Sequence, residues 1–244
     1  MYFYKSISLT EKLAHFSSPL SLCARRCTPL EKTKLSKEKE ENKELSNSLI
    51  ETISSSDLTN IGKDILEIGV DRILADGLLK EIPVINVATG FWKTGIAIRD
   101  YRFITKLLHF LNESSRLTLK QREEIINKLE DDKYQSEAGE KLISIIDNLE
   151  TKSKAKLIGK AICLFGNEII SRDEFWRISF IIEKLPTSDI NALKNWKETD
   201  LNKVEHTRKH LYMSVGLGWF VLNMSSTGFV WTERLCEIIS EHLI

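Results

Sequence analysis

Two pairs of potential metal ligands are visible in the sequence. His206 and His210 are four residues apart, and so are Cys23 and Cys27. On a helix this spacing places the two histidines on one face, where they can hold a zinc ion if two more ligands come close, whereas the C-x3-C spacing of the cysteines is not common at zinc sites. Glu205 precedes the first histidine, whereas the helix of a zinc peptidase carries glutamate directly after it. Only a fold that joined the two distant pairs would give a tetrahedral site, so solvent-facing histidines are the favoured interpretation.

A second segment with chemical potential is Gly90-Phe-Trp-Lys93-Thr94. Its Lys-Thr end resembles the phosphate-binding loop of nucleotide-binding enzymes, but Trp92 stands where that loop has glycine. A bulky indole prevents backbone amides from closing around a phosphate. No Gly-x-Ser-x-Gly segment occurs either. The sequence therefore predicts no catalytic residue, no cofactor and no metal, which indicates a non-enzymatic protein.

The longest nearly unbroken apolar passage runs from Ile82 to Leu111, and it is predicted to form the long central helix of the domain. Pro83 suits the first turn of a helix. At about 100° per residue, the apolar faces of the two halves point to different sides and change over near Arg99. The pattern predicts either that the helix kinks at this point or that different elements of the fold bury its two halves. Basic residues follow the second half at helical spacing: Arg99, Arg102, Lys106 and His109.

The same passage has to be weighed as a membrane segment, because about 20 mostly apolar residues can span a bilayer. Lys93 would lie near the middle of such a span and costs about 2.5–3.5 kcal/mol there. A buried core helix of a soluble domain is the first interpretation, and a helix lying on a membrane is the alternative. The predicted contacts with a membrane or an apolar partner are Phe91, Trp92, Arg99, Arg102 and Lys106.

Composition limits the classes of function. The chain has 244 residues, 42% of them apolar, and its 35 basic residues balance 35 acidic ones. A neutral chain has no overall attraction to nucleic acid or to anionic lipid, so any such attraction must come from local patches. Four cysteines without regular spacing do not make a disulfide framework, which favours a reducing compartment. The expected location is cytoplasmic, with attachment to the periphery of the inner membrane as the alternative.

Hydrophobic spacing predicts a mainly α fold, a multi-helix domain with a small C-terminal β-hairpin. Residues 1–43 are expected to be a flexible arm and charged linker, 44–184 a helical domain, and 185–244 a winged-helix-like module. Phe91 and Phe103 lie on the two apolar faces of the central stretch, so both are expected to be buried. Strands are predicted at residues 219–224 and 229–231, with a turn between them.

Helix starts are marked by capping residues. Thr118 with Gln121, and Ser171 with Glu174, have the spacing of capping boxes. Thr187 or Ser188 is expected to cap the following helix, and Thr232 the last one.

The order of these features resembles a known family. An apolar glycine-containing stretch is followed by charged helices, by SRDEFWRISFIIEKL, and by LYMSVGLGWFVL and TGFVWTERLCEIISEHLI. Over about residues 57–244 this layout is similar to that of the abortive infection alpha family of bacterial proteins. Trp231 and Arg234-Leu235 depart from the usual Leu-Thr cap and Leu-Gly of that pattern. The resemblance implies a bacterial or phage-derived origin and a part in phage resistance, and it supplies no catalytic residues.

Two functions follow from the sequence. The first is a non-enzymatic helical interaction protein that contacts a protein partner or a membrane surface. The alternative is a nucleic-acid-binding protein that uses the winged-helix-like module, although phosphate contacts require a local excess of basic residues. The basic residues available for it are Lys152, Lys154, Lys156 and Lys160, together with Lys194, Lys197, Lys203, Arg208 and Lys209.

Overall fold

The computed structural model describes residues 29–56, 58, 82–93, 101–130, 137–199, 203–223 and 226–244. The chain divides into two compact units, Met1–Lys39 and Glu40–Ile244. The second unit carries the fold. The cysteine pair at residues 23 and 27 lies outside the described residues, and so do residues 59–81, while Leu58 before them is described and buried.

The described elements confirm a mainly α fold with a small C-terminal hairpin. In chain order the helices are α1 (Pro29–Ser54), α2 (Pro83–Lys93), α3 (Tyr101–Ser114), α4 (Leu119–Glu130), α5 (Glu137–Asn148), α6 (Lys152–Gly166), α7 (Arg172–Lys184), α8 (Thr187–Ala192, continued by a 3-10 segment Leu193–Glu198), α9 (His206–Ser214) and α10 (Glu233–Ile238, continued by a π-helical turn Ile239–Leu243). The strands are β1 (Gly218–Asn223) and β2 (Ser226–Trp231), which pair antiparallel.

The central apolar stretch is described as two helices, α2 and α3, and residues 94–100 between them lie outside the described residues. Both helices enter the core. On α2, Val84, Ile85 and Ala88 are buried, and on α3 the buried face includes Phe103. The expectation that Phe103 is buried is therefore confirmed, whereas the side chain of Phe91 is not among those described.

Helix α6 shares the centre of the fold with α3, and the contact between these two helices is the most extensive between any described helices. They run in the same direction, because Arg102 and Lys152 at their N-terminal ends line one cleft, while Glu113 and Cys163 near their C-terminal ends are in contact. Gly159 sits at the crossing. A Cβ atom there would lie 2.6 Å from the Cβ of Glu113 and 2.9 Å from the carbonyl oxygen of Phe110, so only glycine permits this approach.

The two predicted capping boxes are confirmed. The amide of Gln121 donates to the hydroxyl of Thr118, and the amide of Thr118 donates to the Gln121 side chain. Ser171 and Glu174 exchange the same pair of bonds at the start of α7. Each box satisfies two amides that the first turn of a helix leaves without a partner.

Neither of the other two predicted caps makes a side-chain capping bond, although Thr232 does occupy its predicted position. Pro186, which has no side-chain acceptor, occupies the cap position of α8, and the helix begins at Thr187 itself. Thr232 stands at the cap position of α10, but its hydroxyl donates to the carbonyl of Gly216 at 2.9 Å and its amide donates to Leu217 at 2.8 Å. Thr232 therefore closes the base of the hairpin. The second strand also begins at Ser226, three residues earlier than expected.

The boundary predicted between residues 184 and 185 does not separate two compact units, because residues on both sides share one core. The π-helical turn after α10 packs against α6. There the ammonium of Lys160 donates to the carbonyl of Leu243. Arg234 of α10 binds the carboxylate of Glu174 on α7 at 3.0 Å. The C-terminal segment is thus part of the same folded body.

Candidate functional site

Two basic segments that are distant in sequence meet on one face of the fold. Arg102 and His109 project from α3, and Lys152 and Lys156 project from the first half of α6. The parallel crossing at Gly159 brings the helices together, and the two lysines then lie close enough to act on His109. Burial, followed by repulsion from Lys152 and Lys156, lowers the pKa of His109 below its ordinary value. These four residues are called the basic face below.

Lys106, which the sequence places in the same stripe, is not at the surface. Its residue is only 8% exposed. Its ammonium donates to the carbonyl of Leu149 at 3.0 Å and to that of Asp147, at the C-terminal end of α5. A cation at the carbonyl end of a helix stabilises the helix dipole and satisfies carbonyls that have no helical partner. Lys106 is therefore a structural residue that holds the end of α5, and not a direct membrane contact as the sequence predicted.

The other predicted contact residues cannot be placed. Arg99 lies outside the described residues, and the side chains of Phe91 and Trp92 are not described. The structure does describe other residues of the apolar face to which the sequence assigns Phe91 and Trp92. These are Val84, Ile85 and Ala88, which are buried in the core. The described part of α2 thus supports a core helix.

A cleft of about 670 Å³ opens beside the basic face, at the point where α3 begins, α5 ends and α6 begins. Ligand pockets in proteins commonly enclose roughly 300–1,000 Å³. The cleft combines cations, carboxylates, hydroxyls and one aromatic ring. Its lining residues are Tyr101, Arg102, Thr105, Lys106, Asp147, Leu149, Glu150, Thr151 and Lys152.

Acidic residues near the cleft are partly neutralised. Lys154 is completely buried, and its ammonium lies 3.1 Å from the carboxylate of Glu150 and 3.3 Å from the carbonyl of Glu183. Deeper between α3 and α6, the buried carboxylate of Glu113 lies 3.2 Å from Arg116 and 3.7 Å from Lys156. The predicted lysine patch of α6 is therefore exposed only in part, since Lys154 belongs to the interior.

The described thiols are poor candidates for nucleophilic chemistry. Burial raises the pKa of Cys163 to about 11 and that of Cys236 to about 12. The thiolate is the reactive form of cysteine, so both thiols stay protonated near neutral pH. Both are free thiols, and Cys236 is buried while Cys163 is partly buried.

The C-terminal segment carries no basic excess for nucleic acid. Residues 185–244 contain six lysines or arginines against seven acids. Arg208 is engaged by the buried carboxylate of Asp189, which also accepts from the hydroxyl of Tyr212 at 2.9 Å. Lys197 lies 3.2 Å from Glu237, and Lys209 is buried. These contacts weaken the nucleic-acid alternative. His206 and His210 are exposed, and the ring of His210 packs against that of Phe220.

The hairpin carries an exposed apolar pair that was not predicted from the sequence. Trp219 is 50% exposed and lies directly opposite Val230, which is also exposed, while Phe220 and Phe229 form the pair on the inner face. Exposed tryptophan is typical of contact surfaces between proteins. The order of residues along β1 could have indicated this pair, because successive side chains of a strand point to opposite faces, so Trp219 and Phe220 cannot both face the core.

The pKa of His109 leads to a pH prediction. Because the fold lowers this pKa, the folded state binds fewer protons than the unfolded state between the folded value and about 6.5. Stability contributed by neutral His109 is complete above about pH 6.5 and is lost as the pH falls through that value towards the folded pKa. We expect His109→Gln to flatten this part of the profile of urea midpoint against pH. An unchanged slope in the variant would contradict the assignment.

Comparison with protein-family models, with curated proteins and with solved structures finds no match to this chain. No helix in the described ranges is long and apolar enough to cross a membrane. Function is therefore inferred from the chemistry of the site.

Proposed function

We propose that the protein is a non-enzymatic helical interaction protein that attaches to the surface of an anionic membrane through its basic face. The observation that supports this most is the meeting of two basic segments from α3 and α6. Arg102, Lys152 and Lys156 are exposed on that face, and His109 of α3 lies near enough to the two lysines for their charges to lower its pKa. A patch of one sign on a neutral chain attracts anionic surfaces locally.

The expected strength of attachment is modest. Each lysine or arginine near an anionic membrane contributes about 1 kcal/mol, so three contribute about 3 kcal/mol. This is less than the roughly 4.1 kcal/mol that corresponds to a dissociation constant of 1 mM, so charge alone gives weak binding. An apolar contribution is required, and Tyr101 supplies one candidate because it is exposed beside Arg102. Tyrosine is favoured at the boundary between lipid and water.

A membrane fits this face better than nucleic acid does. Nucleic-acid binding usually requires several phosphate contacts along an extended basic surface. Here the basic face is confined to two residues of α3 and two in the first half of α6, and Asp147 and Glu150 lie beside it. A compact basic patch with an exposed tyrosine matches an interfacial contact more closely.

The test is co-sedimentation with vesicles of phosphatidylcholine alone and of phosphatidylcholine mixed equally with phosphatidylserine. The variant is Arg102→Glu/Lys152→Glu, and the matched control is Lys120→Glu/Lys194→Glu, which makes the same change in charge at exposed residues elsewhere. Removing two cations at about 1 kcal/mol each predicts a loss of at least about thirtyfold in binding to the anionic vesicles. The control should bind like the parent.

Three results would overturn the proposal. They are no binding of the folded parent to anionic vesicles, equal losses in the variant and in its control, and preferential binding to a duplex DNA offered in competition. Recovery of the parent in the membrane fraction of cells, with release by high salt, would support it further. A role in bacterial phage resistance at the inner membrane, as the resemblance to the abortive infection alpha family implies, forms part of the same proposal.

A further inference from the structure

We infer that the cleft between the start of α3, the end of α5 and the start of α6 binds a phosphorylated polyol, either as a free metabolite or as the headgroup of a lipid. The cleft shares Arg102 and Lys152 with the basic face. The inference depends on the proposed membrane attachment only where the ligand is a lipid headgroup.

The cations of the cleft suit a phosphate group. Arg102 and Lys152 come to it from two different helices, and Lys106 forms part of its wall. Guanidinium and ammonium groups are the side chains that bind phosphate most strongly, arginine through two parallel hydrogen bonds. The carbonyls of Asp147 and Leu149 hold the Lys106 ammonium in place, so its position is fixed before a ligand arrives.

The remaining lining residues suit hydroxyl groups. Asp147 and Glu150 carry carboxylates, which accept hydrogen bonds from alcohols and repel a second anionic group. The hydroxyls of Thr105 and Thr151 are not counted among the ligand contacts, because that of Thr105 donates to the carbonyl of Tyr101 and that of Thr151 accepts from the amide of Lys154. Cations together with carboxylates indicate a ligand that has both a phosphate and several hydroxyls. A purely anionic ligand would make use of the cations but not of the two carboxylates.

The size of the cleft permits a test that separates it from the basic face. Thr105 is half-buried in its wall. Thr105→Leu adds volume to the wall and leaves the charge of the basic face unchanged. Thr105→Val removes the hydroxyl with little change in volume, and serves as the matched control. Both variants are first compared with the parent by thermal melting.

The measurement is a nuclear magnetic resonance titration of the full chain with sn-glycerol 3-phosphate, followed at the amides of Thr151, Lys152 and Ser153. Inorganic phosphate and glycerol are titrated separately. We expect saturable shifts with glycerol 3-phosphate, at least tenfold weaker binding of inorganic phosphate, and no saturation with glycerol. Thr105→Leu should weaken binding of glycerol 3-phosphate at least tenfold, whereas Thr105→Val should change it less than threefold.

Several results would overturn the inference. They are the absence of saturable shifts in the parent, equal binding of inorganic phosphate and glycerol 3-phosphate, and undiminished binding by a folded Thr105→Leu. Failure of the cleft is read from the titration and failure of the membrane face from vesicle binding by the parent, so the two failures give different results. Vesicle binding by Thr105→Leu that equals that of the parent assigns the ligand to a free metabolite, because the substitution leaves the charges of the basic face unchanged. Vesicle binding that weakens together with binding of glycerol 3-phosphate assigns the ligand to a lipid headgroup.

Discussion

Replacing Phe103 by alanine is expected to remove about 3–5 kcal/mol of the stability of the folded unit. Phe103 lies on α3 and is 1% exposed in the shared core. Deleting a buried phenylalanine ring costs about 3–5 kcal/mol, because apolar contacts are lost and the cavity closes only in part. Total stability of such a domain is about 5–15 kcal/mol. Urea unfolding followed by circular dichroism should therefore show a much lower midpoint for Phe103→Ala.

The matched control is Phe180→Ala. Phe180 lies on α7 and is 44% exposed, so its replacement makes the same chemical change without opening a core cavity. Surface substitutions usually change stability by about 0.5 kcal/mol or less. Equal midpoints for the two variants would show that α3 is not part of a cooperative core.

Replacing Gly159 by alanine is expected to destabilise the crossing of α3 and α6. The new methyl group would meet the Cβ of Glu113 and the carbonyl of Phe110, and neither atom can move by a side-chain rotation. The helices must separate, at a cost of about 1–3 kcal/mol. Thermal melting should show the loss even though alanine favours helix over glycine by about 1 kcal/mol. Attachment to anionic vesicles should weaken as well, since the basic face depends on this crossing.

Gly90→Ala provides the comparison. Gly90 lies within α2, is exposed, and has open space where a Cβ would be added. Alanine there should raise stability by about 0.4–1 kcal/mol, because it restricts the unfolded chain and introduces no clash. Opposite signs for the two alanine substitutions are the expected result, and a stabilised Gly159→Ala would contradict the close packing of α3 on α6.

Local features were predictable from the sequence. The capping boxes at Thr118 and Ser171 need only residues three positions apart, and the burial of Phe103 follows from its place on an apolar helix face. The mainly α fold and the hairpin follow from the same kind of periodicity. In each case the residues that decide the structure are close together in the chain.

The candidate site depended on distant contacts. Lys106 and Lys154 look like surface lysines, but carbonyls 41 and 29 residues away bind their ammonium groups and draw them inside. Thr232 has the sequence of a cap, yet its hydroxyl bonds a carbonyl 16 residues earlier. The basic face exists only because glycine lets two helices approach. No spacing rule within one segment contains this information.

The bond between Lys160 and the carbonyl of Leu243 can form only late in the synthesis of the chain. The two residues are 83 positions apart, so at about 5–20 residues per second the ribosome adds Leu243 about 4–17 s after Lys160. Throughout that interval α6 can pack against α3 and α4, but the side that will receive the final turn is uncovered. Uncovered apolar surface on a nascent chain promotes aggregation and recruits chaperones. A helix at the centre of the finished fold is thus among its most vulnerable parts during synthesis.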